Sequence, residues 1–423
     1  MRRGRRSDPA AFEAELVVKA LGAQGDGVAD GPEGPVYIPF TVPGERVRVE
    51  VRGERGRLMS VLDPSPARRA APCAHYGVCG GCVLQHLEEE TYRVWKRNRV
   101  VEALRKRGLH DVPVDDPVIS PDRSRRRARL AAVKTAAGWR IGFHGRASAR
   151  VEPIEECLIL DPRISAALSP LREGLSHLPD GVRKTSLHVT ASDDGLDIDL
   201  DVDEDALAPK VQFDLISAAE AMGAARLTLR GETTAAFRTP HVRFGDTPVP
   251  LPAAGFLQAT EEGEATLQSL VREGAAGARR VADLFAGCGT FSLVLARTAA
   301  VAAVESDRAA LAALEAAARG ASGLKPITTS RRDLFQRPLT ARELSRFDAV
   351  VFDPPRAGAK AQAAEIAASD VPRVVAVSCD PGTFARDARI LVDGGYALTR
   401  VAPVDQFVYA SHIECVGFFE RRS

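Results

Sequence analysis

The spacing of apolar residues divides the chain into three blocks with different predicted structure. In residues 12–64, short alternating apolar runs are separated by turns rich in Gly, Pro and Asp, a pattern typical of a small β-barrel. Residues 65–254 mix patterns. A helix is predicted near residues 88–107, and the run Leu196-Asp-Ile-Asp-Leu-Asp-Val-Asp predicts a period-2 strand with one buried and one acidic face. We therefore expect a central α+β domain.

Residues 255–423 carry the clearest pattern, because strand-like apolar runs alternate with Ala-rich helical stretches. The runs lie at 281–285, 301–305, 347–352 and 373–378, and this rhythm predicts a doubly wound, Rossmann-like, largely parallel α/β sheet. Two last runs, at 396–402 and 413–419, have no helix between them. They predict an antiparallel pair that closes the sheet.

The composition excludes some classes of protein and leaves others open. No apolar stretch reaches membrane-spanning length, and no apolar segment follows the basic start of the chain, so we expect a cytoplasmic protein without a membrane partner. The net charge of +1 hides a separation of signs. Residues 121–150 contain nine Lys/Arg and one acid, whereas residues 193–205 contain eight acids and no base. This fits a protein that grips a polyanion, but two ordinary solvated surfaces fit equally well.

A candidate cofactor site lies where the first strand of the third block meets a glycine turn. The run from Asp283 through Gly287 predicts a strand, a turn that brings backbone close to a ligand, and a helix start. Alone, this motif fits a dinucleotide equally well. Glu305 at the end of the next strand can accept both ribose hydroxyls, and Asp333 after the third strand can pair with an adenine amino group. This arrangement, with Cys288 between the two glycines, is typical of class I methyltransferases.

Candidate catalytic groups follow the fourth and fifth strands of this block. Asp353-Pro-Pro-Arg follows one and Ser378-Cys-Asp-Pro the other, at the sheet edge where open α/β proteins bind ligands. Cys379 is therefore interpreted as a nucleophile rather than as a buried structural thiol. A thiolate adding to carbon 6 of uracil makes carbon 5 nucleophilic, and a base must later remove the carbon 5 proton. Glu414 is the candidate base, otherwise a surface acid, and His412 can share its face.

The seven cysteines are too few for a disulfide scaffold and point to a metal or to catalysis. Cys73, Cys79, Cys82 and the distant Cys157 can supply four thiolates to zinc or to an iron–sulfur cluster. The spacing alone does not separate these metals, and free thiols are a third alternative. Arginines at 125–129 lie between the third and fourth of these cysteines, so a metal would hold a segment suited to RNA phosphates.

At these motifs the chain resembles the bacterial class I RNA (uracil-5-)-methyltransferase family. The shared motifs occur in order: Gly255-Phe-Leu-Gln, Asp283-Leu-Phe-Ala-Gly-Cys-Gly, Asp353-Pro-Pro-Arg, Ser378-Cys-Asp-Pro and His412-Ile-Glu. The resemblance implies that Cys379 is the nucleophile and Glu414 the base. It also implies an S-adenosylmethionine site made by Gln258, Phe285, Gly287, Thr290, Glu305, Asp333 and Asp353. Thr290 stands where relatives often carry Asn, and residues 405–412 lack the usual Pro and Thr.

The first block resembles a TRAM domain through Gly25-Asp-Gly-Val-Ala and Val42-Pro-Gly-Glu. Relatives with this block and four such cysteines methylate 23S ribosomal RNA and hold a [4Fe-4S] cluster. The resemblance therefore implies ribosomal rather than transfer RNA as substrate, and the cluster with Cys73, Cys79, Cys82 and Cys157 as ligands rather than zinc. We expect a monomer.

Three other functions remain as alternatives. The first is uridine-5 methylation of transfer RNA. The second is cytidine-5 methylation of RNA, although those enzymes carry a cysteine in the fourth-strand motif and Asp353-Pro-Pro-Arg has none. The third is non-catalytic RNA binding, against which the joint presence of Cys379, Glu414 and Glu305 argues.

Overall fold

The computed structural model describes residues 10–203 and 207–422, and the chain forms two compact units. The first unit contains the chain up to Lys96 together with residues 144–149 and 409–411. The second contains residues 97–143, 150–408 and the chain from His412 onward. The predicted domain boundaries at 64 and 254 stay a prediction.

The first unit contains a closed five-stranded barrel, as the alternating runs predicted. Its strands are β1 (Phe12–Leu21), β2 (Gly27–Gly31), β3 (Gly34–Ile38), β4 (Arg46–Arg52) and β5 (Arg55–Asp63), in the order β1-β2-β3-β5-β4. Alternate side chains of β4 point inward, and Val47, Val49 and Val51 are buried there with Val18 and Ile38. The barrel closes because every strand contributes one apolar face to this core.

Helix α1 (Glu89–Arg105) follows the cysteine segment and matches the predicted helix near 88–107. Glu89 and Glu90 lie in its first turn and Arg105 in its last, as the helix dipole favours. The boundary between the units falls within it, after Lys96. In the second unit its later residues Val100 and Leu104 are fully buried.

A seven-stranded mixed sheet forms the centre of the second unit, in the order β13-β12-β11-β10-β7-β8-β9. Its strands are β7 (Arg127–Thr135), β8 (Gly138–His144), β9 (Val151–Pro153), β10 (Lys184–Ser192), β11 (Gly195–Leu200), β12 (Ala224–Leu229) and β13 (Glu232–Ala236). Helices α2 (Pro162–Leu175) and α3 (Pro209–Ala221) pack on it through one apolar core. A separate hairpin consists of β14 (His241–Phe244) and β15 (Thr247–Pro250). The predicted α+β architecture is confirmed.

The acidic face predicted for the strand at 196–203 differs in the structure. Strand β11 is present, but Asp197 is 6% exposed and receives two hydrogen bonds from Arg226, at 2.8 and 2.6 Å. Asp199 accepts hydrogen bonds from Thr228 and from the Gly231 amide. These carboxylates are satisfied within the protein because the partners lie on β12 and the turn after it, about 30 residues later, and the period-2 pattern does not encode them.

An eight-stranded sheet forms the C-terminal part of the second unit, in the order β18-β17-β16-β19-β20-β22-β21-β6. Its strands are β6 (Val118–Ile119), β16 (Arg280–Leu284), β17 (Ala300–Glu305), β18 (Ile327–Arg331), β19 (Ala349–Phe352), β20 (Arg373–Ser378), β21 (Tyr396–Asp405) and β22 (Glu414–Arg421). Strands β16 to β20 are parallel, and β22 pairs antiparallel with both β20 and β21. The predicted α/β sheet and its closing antiparallel pair are confirmed.

Helices cover both faces of this sheet. They are α4 (Glu261–Gly274), α5 (Ser292–Leu295), α6 (Arg308–Gly320), α7 (Ala341–Leu344), α8 (Lys360–Ala367) and α9 (Pro381–Asp393). Successive residues of β20 point to opposite faces, so Val374 packs with α8 and α9 whereas Val375 packs with α4. No helix in the described ranges is long and apolar enough to cross a membrane.

Candidate active site

The predicted catalytic residues meet at the carboxyl edge of the parallel strands. Asp353 directly follows β19, and Cys379 directly follows β20. Strand β22 runs the other way and therefore begins at this edge. Ser378 pairs with Cys415, so the next step outward places Cys379 beside Glu414. Two loops and one strand start thus bring a thiol and two carboxyl groups together.

Glu414 is 4% exposed and Asp353 is half-buried, and burial raises the pKa of both carboxyl groups. Asp353 lies close enough to Glu414 to raise its pKa further by charge repulsion. Two contacts oppose this: Gln406 donates a hydrogen bond to Glu414 Oε1 at 3.1 Å, and the positive charge of Arg127 faces the same carboxyl. Glu414 is therefore a stronger base than an ordinary surface carboxylate, as a proton-abstracting group requires.

The thiol of Cys379 is half-buried, and its pKa is raised to about 12. Burial is the largest cause, followed by the charges of Glu414 and Asp353. Asp380, the next residue, caps helix α9 by accepting hydrogen bonds from the Gly382 and Thr383 amides at 2.9 and 3.0 Å. The thiol is thus held in a fixed loop and is protonated at neutral pH in the free protein.

A chain of buried side-chain amides connects the two carboxyl groups. Gln258 Nε2 donates to Asp353 Oδ2 at 3.2 Å, and Gln258 Oε1 accepts from Gln406 Nε2 at 2.6 Å. The same Gln406 nitrogen donates to Glu414. Gln406 Oε1 accepts from the backbone amide of Ala259 at 2.7 Å. Gln258 and Gln406 are 3% and 1% exposed, so no solvent competes for these bonds.

The glycine turn after β16 has the backbone geometry that a close ligand approach requires. Phe285 and Gly287 have φ angles of 61° and 55°, and a Cβ added at Gly287 would meet no atom within 4 Å. Gly289 has a φ of 100°, but a Cβ there would lie 2.5 Å from Leu314. Gly287 therefore faces open space, whereas Gly289 is required for packing. Thr290 is half-buried after them. The helix predicted next is α5, of only four residues.

Glu305 ends β17 and binds backbone around this turn. Its Oε2 accepts from the Gly287 amide at 3.0 Å, and its Oε1 accepts from the Ser306 and Asp307 amides at 2.5 and 2.8 Å. The carboxylate is partly exposed, so it has lone pairs left for ribose hydroxyls. The acid predicted after the second strand is thus held rigidly beside the turn.

Asp333 lies two residues after β18 and accepts hydrogen bonds from the Phe335 and Gln336 amides at 2.9 and 3.3 Å. The Phe335 ring is 51% exposed and lies 5.5 Å from the ring of Phe285, centroid to centroid. Two partly open aromatic rings next to an acid suit a planar adenine. The set of acid, aromatic and open glycine therefore fits the adenosine half of S-adenosylmethionine.

Asp283 lies beneath this turn and is fully buried, which raises its pKa to about 7. Ser292 donates a hydrogen bond to its Oδ2 at 2.5 Å. Its Oδ1 has no hydrogen-bond partner within the described part of the chain. A buried oxygen with spare acceptor capacity at the cofactor turn fits a ligand that brings a donor.

The basic segment predicted to contact RNA begins β7 at the same end of the second unit. Arg126 is buried and forms an ion pair with Glu264 at 2.6 Å, while its Nε donates to the Gln258 carbonyl at 3.2 Å. Arg127 lies with its guanidinium 4.4 Å from the ring centroid of Phe256, which is 62% exposed. Burial lowers the pKa of Arg127 to about 10, so it keeps its charge at neutral pH.

The four cysteines predicted as metal ligands are divided between the units. Cys73, Cys79 and Cys82 belong to the first unit, and Cys157 belongs to the second. Within the first, the Gly81 amide donates to Cys79 Sγ at 3.4 Å. Residues 10–203 and 207–422 contain no group of three or more His, Cys, Asp or Glu side chains arranged to hold a metal ion.

Comparison with known proteins identifies the family to which the chain is related. Residues 271–422 match the family described as tRNA (uracil-5-)-methyltransferase. RNA methyltransferases of Brucella suis and Caulobacter vibrioides, whose own roles are uncharacterized, are 46% and 47% identical, covering 95% and 96% of this chain and 97% and 100% of theirs. The 23S rRNA (uracil(1939)-C(5))-methyltransferase RlmD of Chromohalobacter salexigens is 34% identical, covering 96% of this chain and 89% of its own.

The chain belongs to the S-adenosylmethionine-dependent RNA (uracil-5-)-methyltransferase family. The crystal structure of the Pyrococcus abyssi tRNA (uracil-54, C5)-methyltransferase with S-adenosyl-L-homocysteine has the same fold, with a TM-score of 0.74 over 96% of this chain and 99% of that one. At 22% identity this similarity concerns the fold alone. The resemblance stated from the motifs, the class I methyltransferase fold and the use of S-adenosylmethionine on RNA are therefore confirmed.

Sequence reasoning missed three parts of the site of this RNA (uracil-5-)-methyltransferase. Gln406 lies in the segment noted only for its missing Pro and Thr, and its partners are 8 to 148 residues away. The Arg126–Glu264 pair spans 138 residues. The sequence did carry a signal for Phe335, since an aromatic residue two positions after the acid of the third strand can flank an adenine.

His412, which the sequence analysis placed near Glu414, is exposed, and its ring contacts that of Phe407 at 5.9 Å between centroids.

Proposed function

We propose that this protein methylates carbon 5 of a specific uridine in 23S ribosomal RNA, with Cys379 as the covalent nucleophile and Glu414 as the base. One observation supports this proposal above the others: the pairing of Ser378 with Cys415, which puts the thiol and a buried carboxyl side by side at the ligand-binding edge. Thiol and base must both reach one pyrimidine ring, and this geometry allows it.

The residues have the following roles in the reaction. The Cys379 thiol releases its proton to water as its sulfur bonds to carbon 6, and the electron pair of the ring double bond moves through carbon 5 to the carbonyl oxygen, giving an enolate. S-adenosylmethionine would supply an electrophilic methyl group to carbon 5, and its sulfur would keep the electron pair of the broken carbon–sulfur bond as S-adenosylhomocysteine leaves. Glu414 then removes the carbon 5 proton, the ring double bond reforms and the bond from carbon 6 to sulfur breaks. Cys379 leaves as a thiolate and regains a proton.

The raised pKa of Cys379 fits a nucleophile that acts only with substrate in place. Its negative neighbours Glu414 and Asp353 oppose the thiolate in the free enzyme. The uracil ring can accept charge at its carbonyl oxygen, so addition moves negative charge away from the two carboxylates. Without substrate, the raised pKa of Cys379 keeps the thiol protonated and therefore unreactive toward other electrophiles.

The remaining site residues bind the methyl donor in this proposal. Gln258, Phe285, Gly287, Thr290, Glu305, Asp333 and Asp353 surround it, with Glu305 on the ribose hydroxyls and Asp333 on the adenine amino group. The open space at Gly287 and the Phe285–Phe335 ring pair support the adenosine position. Asp353 and Gln258 lie nearer to Glu414 and thus to the reacting methyl.

Trapping with RNA containing 5-fluorouridine tests the chemistry. Carbon 5 of this base carries fluorine, so no proton is available for removal and a stable adduct with the enzyme is expected. Peptide mapping should place the RNA on Cys379, and Cys379→Ala should form no adduct. Cys288→Ala is the matched control, because Cys288 is a buried cysteine outside the catalytic loop and should leave trapping intact. Trapping that survives in Cys379→Ala contradicts the proposal.

The choice of ribosomal RNA is supported by the relative from Chromohalobacter salexigens, which matches 96% of this chain and is named a 23S rRNA methyltransferase. The family matched at residues 271–422 and the archaeal structure instead carry transfer RNA in their names. Mapping 5-methyluridine in both RNAs of a deletion strain decides between them. We expect one or more 23S sites to lose the methyl group; loss confined to transfer RNA contradicts the assignment.

A [4Fe-4S] cluster on Cys73, Cys79, Cys82 and Cys157 belongs to this proposal as a structural element. The Gly81 amide hydrogen bond to Cys79 sulfur supports it, since backbone amides stabilise charged sulfur in such clusters. Protein purified without oxygen should be brown and contain iron and sulfide in equal amounts. Colourless protein with stoichiometric zinc favours the alternative metal. The cytoplasmic location and the monomeric state stay predictions.

A further inference from the structure

Gln406 lies at the junction of the hydrogen bonds that join the base Glu414 to the cofactor residue Gln258. It directly follows β21, next to the start of β22, and is 1% exposed. Its side chain contacts Glu414, Gln258 and the backbone of Ala259. Helix α4 packs against it so closely that a Cβ at Gly263 would lie 2.9 Å from the Cβ of Gln406.

The orientation of the Gln406 amide is determined by one backbone group. The Ala259 amide can only donate, so the atom 2.7 Å from it must be the oxygen of Gln406. The nitrogen therefore faces Glu414 Oε1 and Gln258 Oε1. Because Gln258 uses its oxygen on this side, its own nitrogen must point to Asp353. The chain of amides thus delivers one N–H to Glu414 and one to Asp353.

The direction of these hydrogen bonds has a chemical consequence for the base, Glu414. A carboxyl that accepts an N–H is favoured in its ionised form, and the accepting oxygen is fixed in direction. Gln406 is bound through its oxygen to the Ala259 backbone, so it holds Glu414 Oε1 on one side. The second oxygen of Glu414 then remains to face the substrate.

We propose that Gln406 is a positioning residue, which orients Glu414 for removal of the carbon 5 proton and ties that orientation to the cofactor residue Gln258. This inference rests on the proposed function, because it needs Glu414 to be the base. It assigns Gln406 to the last stage of the reaction, after methyl transfer. Losing its hydrogen bond should slow release of the methylated RNA by about ten- to a hundred-fold, the effect of one hydrogen bond to a charged group.

The test is a single-turnover reaction with unmodified uridine RNA, followed by denaturing gel and mass spectrometry. Gln406→Met keeps the length of the side chain and removes both polar ends. It should accumulate a covalent RNA–protein adduct that already contains the methyl group. An adduct with the methyl group also shows that the variant folds, binds both substrates and transfers the methyl, so a merely structural role would not produce it.

Two further variants make the outcomes distinguishable. Glu414→Gln should accumulate the same methylated adduct. If it does not, the proposal that Glu414 removes the carbon 5 proton is wrong. Gln268→Met is the matched control, since Gln268 is a buried glutamine of α4 whose amide nitrogen has no partner in the described chain, and it should release product at the wild-type rate. If Glu414→Gln accumulates the adduct but Gln406→Met releases product normally, or forms no adduct at all, the positioning role of Gln406 is wrong.

Discussion

The buried pair of Arg126 and Glu264 gives the sharpest stability prediction for the second unit. Their side chains are 3% and 4% exposed, and the charged atoms lie 2.6 Å apart. Arg126→Met fills much of the same volume but leaves a carboxylate buried without its counterion. Removing one partner of such a pair typically costs about 3–5 kcal/mol, because the remaining charge is neither solvated nor paired. At roughly 2–4 °C per kcal/mol, the melting transition should fall by at least about 6 °C.

The loss of stability in Arg126→Met should depend on pH, and the direction of this dependence follows from the ionisation of Glu264. Burial raises the pKa of Glu264 to about 7, and Arg126 opposes that rise. Without Arg126 the pKa rises further, so the folded variant holds a proton that the unfolded chain releases. The stability of the variant then falls as the pH rises from the pKa of this carboxyl in the unfolded chain to its raised pKa in the folded variant. At pH 5.5 the carboxyl is neutral and the deficit relative to wild type should be small; at pH 8.5 it should be largest.

Calorimetry of wild type and Arg126→Met at both pH values is the assay. Arg230→Met is the control, since Arg230 pairs with Asp201 at 3.2 Å but is 57% exposed, and exposed pairs contribute about 0–1 kcal/mol. Arg126→Met combined with Glu264→Leu should recover most of the stability. The reasoning is refuted if Arg126→Met melts like Arg230→Met, or if its deficit is larger at pH 5.5 than at pH 8.5.

Three further predictions concern the site itself. Because the pKa of Cys379 is raised to about 12, its alkylation by iodoacetamide in the free enzyme should speed up tenfold per pH unit from 7 to 10. Gly289→Ala should lower the free energy of unfolding by about 2–3 kcal/mol through its positive φ and its clash with Leu314, whereas Gly287→Ala, with open space beside it, should cost about 1 kcal/mol. Glu305→Gln should weaken S-adenosylmethionine binding about ten- to a hundred-fold by calorimetric titration, because its amide would face backbone donors and ribose hydroxyls.

Each of these predictions has an outcome that contradicts it. An alkylation rate that levels off near pH 8 shows a thiol of ordinary pKa. Equal destabilisation by the two alanine variants shows that the contact with Leu314 is not decisive. Unchanged cofactor affinity in Glu305→Gln removes this residue from the ribose site.

The sequence predicts the strands and helices of this fold well where the spacing of apolar residues follows one regular period. The barrel strands, the parallel strands and the last antiparallel pair each show a pattern that one buried face or two buried faces impose. The length of the helix after the glycine turn was not predictable in this way. Helix α5 has four residues, because the chain turns at Ala296–Ala299 to enter β17.

The site was predictable where a residue follows a strand, and not where it is fixed by distant contacts. Cys379 and Asp353 follow parallel strands and Glu305 ends one, so they must share one edge. The position of Gln406 depends on a backbone amide at Ala259, and that of Arg126 on helix α4. Such contacts depend on how the sheet and its helices pack, and no local pattern encodes them.

The central claim, uridine-5 methylation, is tested most directly with RNA that carries tritium at carbon 5 of uridine. Replacement of the carbon 5 hydrogen by a methyl group must release that tritium into water. We predict one tritium released for each methyl group transferred, and no release with Cys379→Ala. Methyl transfer to the RNA without release of tritium would place the methyl group on another atom and contradict the account.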